Sequence, residues 1–228
     1  MLVIMTRIVS LVKKVTNIRY KAQFDCIPCN LKEIETYDKD FYEWISQRLQ
    51  EEGFEYDGEY EIIDNSRRNS CQSYCRRYIH KESGSIAEIN HYSLPISNIS
   101  VEKIFSLRTI LKDDFHITSI IRKGAKTSKT LEETYLAYEG MDELDTLINQ
   151  HMQLLKEKQK EHLIEYKYIQ MSHQEYLNHT YYQSCMKQVA SKVLKYDAKE
   201  QCFKYTIKGI IETLFKAKVI FTKKQDLR

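Results

Sequence analysis

Ser73-Tyr74-Cys75-Arg76-Arg77-Tyr78-Ile79-His80-Lys81-Glu82-Ser83-Gly84-Ser85-Ile86-Ala87-Glu88-Ile89-Asn90-His91-Tyr92 is the stretch on which the fold turns. Two runs rich in Tyr and Ile flank a short polar break at Lys81 to Gly84, a pattern that predicts an antiparallel hairpin. Working outward, 58–63, 101–111 and 115–121 are similar runs rich in Ile, Tyr, Val and Phe. Lys112-Asp113-Asp114 is a second tight break, and 93–100, with Pro95 inside, is a wider loop. The region 58–121 therefore predicts a mainly antiparallel sheet of about four to six strands. Tyr60, Ile89, Phe105 and Ile117 are its expected core. Arg76 and Arg77, being adjacent on a strand, must point to opposite sides of it.

Helical periodicity lies on either side. Phe41, Trp44, Ile45, Arg48 and Leu49 recur at three and four, with Asp38 placed to cap the helix and Gly53 just past its end. From Glu132 the pattern predicts helix again. Met141, Leu144, Ile148, Leu155 and His162 trace one stripe from Asp142 to the region of Glu165. Ser172-His173-Gln174-Glu175 has the form of a capping box, followed by Leu177, Tyr181, Cys185, Val189 and Val193. A third stripe covers Phe203, Ile207, Ile211, Phe215 and Val219, although Cys202 to Ile207 and Val219 to Thr222 also read as strand. The expected architecture is α+β: an amphipathic segment and connector over 1–36, then one domain over 37–228. That domain comprises a helix over 37–52, the sheet over 58–121 and a long helical C-terminal half over 132–221.

Composition narrows the function classes. Thirty-five basic and 32 acidic side chains leave a net charge of +3, too small for the field of a dedicated nucleic-acid binder. Six glycines in 228 residues leave little material for a phosphate-cradling loop, and neither a P-loop nor G-x-S-x-G nor G-x-G-x-x-G occurs. No apolar run approaches the length of a membrane-spanning helix. The apolar start, Leu2, Met5, Val9, Val12 and Val15 interleaved with Arg7, Lys13 and Lys14, lacks the order of a signal peptide. It reads as an amphipathic helix docked on the domain, with a membrane surface as the alternative for residues 1–16. With six cysteines in a chain of this length, a reducing, cytoplasmic location is expected.

Cys26-x-x-Cys29 has the spacing of a zinc half-site or a redox dithiol, and Cys71-x-x-x-Cys75 could add two thiolates. Neither pair carries the frame of a zinc ribbon or a thioredoxin-like site. The expectation is reduced structural cysteines with no cofactor, and Cys26, Cys29, Cys71 and Cys75 form the alternative metal set. His151 lies on an apolar helical stripe and is read as a hydrogen-bonded core histidine. No catalytic residue emerges. A basic C-terminal segment containing Lys204, Lys208, Lys216, Lys223 and Lys224 is the candidate surface for an anionic partner.

Leu49-Gln50-Glu51-Glu52-Gly53-Phe54-Glu55-Tyr56-Asp57-Gly58-Glu59-Tyr60 resembles the opening of a family of uncharacterised bacterial proteins with a leucine, a Gly-Phe pair and a Gly-x-Tyr at this spacing. Lys112 to Thr118 resembles that family's hairpin turn and threonine-containing strand, with Asp114 where the family has glycine. Leu147 to His151 and Ser172 to Val189 resemble its later helices. The resemblance implies an intracellular α+β domain and carries no activity. The function expected from the residues is a non-catalytic interaction module with a protein partner. The alternatives are a thiol or zinc protein and a binder of membrane surface or nucleic acid.

Overall fold

The computed structural model describes residues 20, 23–35, 37–64, 71–93, 102–122, 124–129 and 133–213. The chain divides into two compact units, the larger formed by Asp25–Ile63 and Cys71–Gln174, the smaller by Met1–Phe24, Asp64–Ser70 and Glu175–Arg228.

The larger unit is organised by one sheet. Its strands are β1 (Phe24–Pro28), β2 (Glu55–Asp64), β3 (Cys71–His80), β4 (Ser85–Ser93), β5 (Glu102–Ile110), β6 (His116–Ile121), β7 (Ser128–Lys129) and β8 (Glu133–Tyr138). They lie in the order β1-β2-β3-β4-β5-β6-β8-β7. β3 to β6 form an antiparallel meander, with Arg77 opposite Glu88 and Ile89 opposite Phe105. β6 and β8 run parallel, and β7 returns antiparallel to β8. The β3–β4 turn ends at Gly84, whose φ of +64° is left-handed. A Cβ there would sit 2.7 Å from Ile164, so glycine answers both constraints. In the β5–β6 turn Asp114 itself adopts φ +54°, a conformation that Asp tolerates better than most residues.

Helix α1 (Lys39–Glu51) starts at Asp38, whose carboxylate accepts the Phe41 N–H at 3.1 Å, and Gly53 past its end has φ +83°. Helix α2 (Leu144–Lys158) follows a 3-10 turn at Met141–Glu143. Alternation along the strands places Tyr78, Ala87, Ile89, Phe105, Leu107 and Ile121 on one face. There they bury against Phe41, Tyr42, Ile45 and Leu49 of α1 and Leu144, Leu147 and Ile148 of α2. The expected core positions Ile89, Phe105 and Ile117 are wholly buried, and Tyr60 is partly buried. After α2 the chain passes through α3 (Lys167–Gln170) to α4 (His173–Ala190), of which only His173 and Gln174 belong to this unit.

The smaller unit holds the rest of α4, the antiparallel pair β9 (Leu194–Asp197) and β10 (Cys202–Tyr205), and a helical stretch over 207–213. Cys185, Leu194 and Phe203 are its buried centre, flanked by Tyr20, Tyr181, Val189, Val193 and Tyr205.

The expectation of four to six strands followed by a long helical C-terminal half is overturned. Among the described residues the main sheet has eight strands and is mixed rather than simply antiparallel, and a second two-stranded sheet lies in the supposed helical half. Glu133–Tyr138 joins β6 in parallel, a pairing between segments that no local turn signal marks. The expected long helix stops at Lys158, so His162 lies beyond it. Ile164 then bridges to Leu111, because Leu163 and Glu165 exchange backbone hydrogen bonds with Lys112 and Ile110. Cys202–Tyr205 takes the strand alternative, folding back on Leu194–Asp197 through a turn in which Gln201 has φ +48°. Among the described residues, no helix is long and apolar enough to cross a membrane. The N-terminal amphipathic segment lies outside the described residues.

Candidate functional site

The two faces of β3 carry the two arginines apart. Arg76 turns toward α1. Its guanidinium meets Glu59 at 2.7 Å, Ser46 Oγ at 2.9 Å, Tyr37 Oη at 3.1 Å and Glu43 at 3.3 Å, and lies 5.1 Å over the Tyr42 ring. Glu59 also accepts the Leu31 N–H at 2.8 Å. The side chains of Arg76 and Glu59 are 6% and 11% exposed, so this pair forms the floor of a site rather than a mobile surface. Above it opens a polar groove of about 550 Å³, lined by Lys32, Glu43, Gln47, Gln50, Tyr56 and the Arg76/Glu59 floor. Tyr56 is 55% exposed, and the exposed Trp44 lies one turn before Gln47 on α1.

Arg77, on the opposite face, bonds Asp57 at 2.8 Å and the carbonyls of Met171 and Tyr168 at 3.3 and 3.4 Å. Beside it Cys75, Glu88 and His173 gather, with Sγ, a carboxylate oxygen and an imidazole nitrogen all within 4.8 Å of one another. His173 Nε2 is 2.9 Å from Glu88 Oε1, and the ring packs edge-on against Tyr60 at 4.7 Å. His173 Nδ1 is buried without a hydrogen-bond partner. Burial, reinforced by Glu88, pushes the Cys75 thiol well above its ordinary range. Burial also works to raise the Glu88 carboxyl, but the His173 hydrogen bond, with the charges of His173, Arg108 and Arg77, brings it below its ordinary value.

The sequence-nominated cysteines do not assemble as one set. Cys26 and Cys29 are partly buried on β1 and just after it, and burial first, then Glu88 and Asp25, drives the Cys26 thiol up to about 12. Cys75 is in the cluster just described, and the Cys71 side chain lies outside the described residues. Cys26, Cys29, Cys75, Cys185 and Cys202 are free thiols. A high thiol pKa leaves little thiolate near neutrality, so none of these sulfurs is primed as a nucleophile. Glu88 and His173 were missed in the sequence because they lie 85 residues apart and neither stands in a ligand-spaced motif.

His151 is the hydrogen-bonded core histidine its helical stripe implies. Nε2 faces Thr109 Oγ1 and Nδ1 faces Ser119 Oγ, both at 2.9 Å. Ser85 and Ser83 extend the chain from Thr109 at 2.6 and 2.7 Å, and His80 closes it at 2.8 Å. Burial drives the His151 pKa down to about 3, so the ring stays neutral. Among the candidate lysines, Lys204 is 14% exposed and pairs with Asp197 at 2.5 Å and Glu200 at 2.8 Å. Lys208 reaches the Ser191 carbonyl at 2.9 Å and Glu212 at 3.7 Å. Lys216, Lys223 and Lys224 lie outside the described residues. Comparisons of the chain with protein-family models, with curated proteins and with solved structures find no match.

Proposed function

We propose that the protein is a non-catalytic interaction module whose α1/β2 groove receives an extended, polar segment of a protein partner. The groove itself carries this reading. Its rim offers amides (Gln47, Gln50), charges of both signs (Lys32, Glu43) and an exposed phenol (Tyr56) over a floor immobilised by Arg76 and Glu59. Side-chain amides can pair a peptide backbone in both directions, and an exposed aromatic beside them supplies contact area at small entropic cost. Mixed charge suits a polypeptide better than a polyanion, which would want one sign throughout. Addition of a partner strand to β1 is a weaker reading, because Asn178 and Gln174 already accept the Phe24 and Cys26 N–H groups at 2.8 and 3.4 Å.

The test is site-specific photo-crosslinking in cells, with the reactive residue placed at Gln50 in one form and at Lys208 in another. The same peptide should be recovered from Gln50 in repeated experiments, with a yield that falls when Tyr56→Ala or Gln47→Ala is added. Crosslinks from Lys208 alone would move the partner surface to the basic segment and end this assignment.

A further inference from the structure

We propose that Cys75, Glu88 and His173 bind one divalent transition-metal ion of the zinc class, at a site independent of the groove reading. The donors are a thiol, a carboxylate and an imidazole, a combination that favours zinc or cobalt over magnesium or calcium, which take oxygen. They come from three separate elements, β3, β4 and the first turn of α4. Cys75 lies opposite Asn90 and Arg77 opposite Glu88, so Cys75 and Glu88 are diagonal neighbours on one face of a paired strand. That backbone pairing holds two ligands in register before any ion arrives. The Tyr60 contact orients the third.

The donors gather near the spacing of a metal site, with the 2.9 Å His173–Glu88 contact opening to admit the ion. Ligand atoms around a tetrahedral zinc ion stand roughly 3.3 to 3.8 Å apart, given metal–ligand bonds of about 2.0 to 2.3 Å. The three donor atoms already lie within 4.8 Å of one another. Cys75 and His173 side chains are fully buried and Glu88 is 13% exposed, so the carboxylate is the side from which an ion would enter. Charge also balances, since a thiolate and a carboxylate cancel a divalent ion and leave the buried centre neutral. His173 Nε2 already faces Glu88 Oε1 at 2.9 Å, so an ion held between them would take the place of that hydrogen bond. Three protein ligands leave a fourth position for water.

Binding as a thiolate displaces the Cys75 proton. Arg77 and Arg108 face Glu88 from the same sheet, and Asp57 faces Arg77.

The experiment is titration of the full-length chain with Co²⁺, followed by displacement with Zn²⁺. The expected result is one equivalent of cobalt with a thiolate-to-cobalt charge-transfer band. Cys75→Ser should abolish the band, and His173→Gln should weaken binding by at least about tenfold. Cys185→Ala and the Cys26→Ala/Cys29→Ala pair should change neither. X-ray absorption on the zinc-loaded wild type needs no variant and should report one sulfur and at least one imidazole. The proposal falls if the wild type takes up no stoichiometric metal, if absorption shows two or more sulfurs, or if binding disappears only with Cys26 and Cys29. Retention of Glu88 and His173 as a plain hydrogen-bonded pair is the outcome that no uptake would establish.

Discussion

On the α1/α2 face of the main sheet, His151 sits among hydroxyls. On the opposite face, His173 sits among a carboxylate, a thiol and two arginines. Both imidazoles are buried, and the difference between them is the company each keeps. Thr109 and Ser119 can each donate or accept, so a neutral His151 is satisfied at both nitrogens and its charged form is not stabilised by any anion. Glu88 engages only Nε2 of His173, Nδ1 is buried without a hydrogen-bond partner, and the carboxylate lies beside a thiol. The lesson is that a buried histidine is closed or open to further chemistry according to whether its neighbours are neutral hydroxyls or charged ligand-type groups.

The strongest way to break this contrast is to remove the charge on each face in turn. Arg76→Met strands Glu59, which is only 11% exposed, and should cost about 3 to 5 kcal/mol in urea unfolding. Arg77→Met strands Asp57, which is 29% exposed and can be rehydrated, so its cost should be smaller by at least about 1 kcal/mol. Equal losses would show that the two faces are equally dry. Next in size, His151→Leu keeps the packing volume but leaves the Thr109 and Ser119 hydroxyls short of a partner. A loss of about 2 to 4 kcal/mol is expected, and a loss under about 1 would mean that the hydroxyl chain re-pairs within itself.

Acid sharpens the contrast further. An unfolded imidazole takes its proton near pH 6.5, whereas His151 does so only near pH 3 and His91, depressed by burial and then by Lys103, near pH 4. In that interval the unfolded chain holds more protons, so stability is fully present above pH 6.5 and falls as pH drops toward 3. Each group contributes up to about 1.4 kcal/mol per pH unit. Glu88 has the same sign but a later onset, because its lowered carboxyl gives stability present above about pH 4.5 and lost on further acidification. His151→Gln should therefore reduce the slope of stability against pH between about pH 3 and 6.5, leaving the contributions of His91 and Glu88 in place. The smallest effect serves as a baseline for both faces. Asp38→Ala removes the α1 cap and a lysine partner, Lys103, and should cost about 1 kcal/mol by thermal unfolding.

Residues whose neighbours lie within a turn are legible in the sequence. Asp38 as cap, Gly53 past the helix, the Lys81–Gly84 turn and the His151 stripe are all encoded over four to twenty residues, where backbone conformation and side-chain periodicity are local properties. Glu133–Tyr138 is not legible as a strand, because its partner, β6, is brought alongside by a crossover that leaves no turn signal in the sequence. Lys204 looked like an exposed cation in a basic segment, and only the β9–β10 pairing places Asp197 beside it.

What the sequence by itself determined is the meander of β3 to β6, the capped helix α1 and the core histidine of α2. Each follows from spacing that a single segment can satisfy. What only the tertiary structure decided is the extent of the main sheet, the burial of both Arg76 and Arg77, and the meeting of Cys75, Glu88 and His173. Those side chains are joined by strand register and by where α4 begins, and the apolar and backbone interactions that set both say nothing in advance about which polar side chains will be enclosed together.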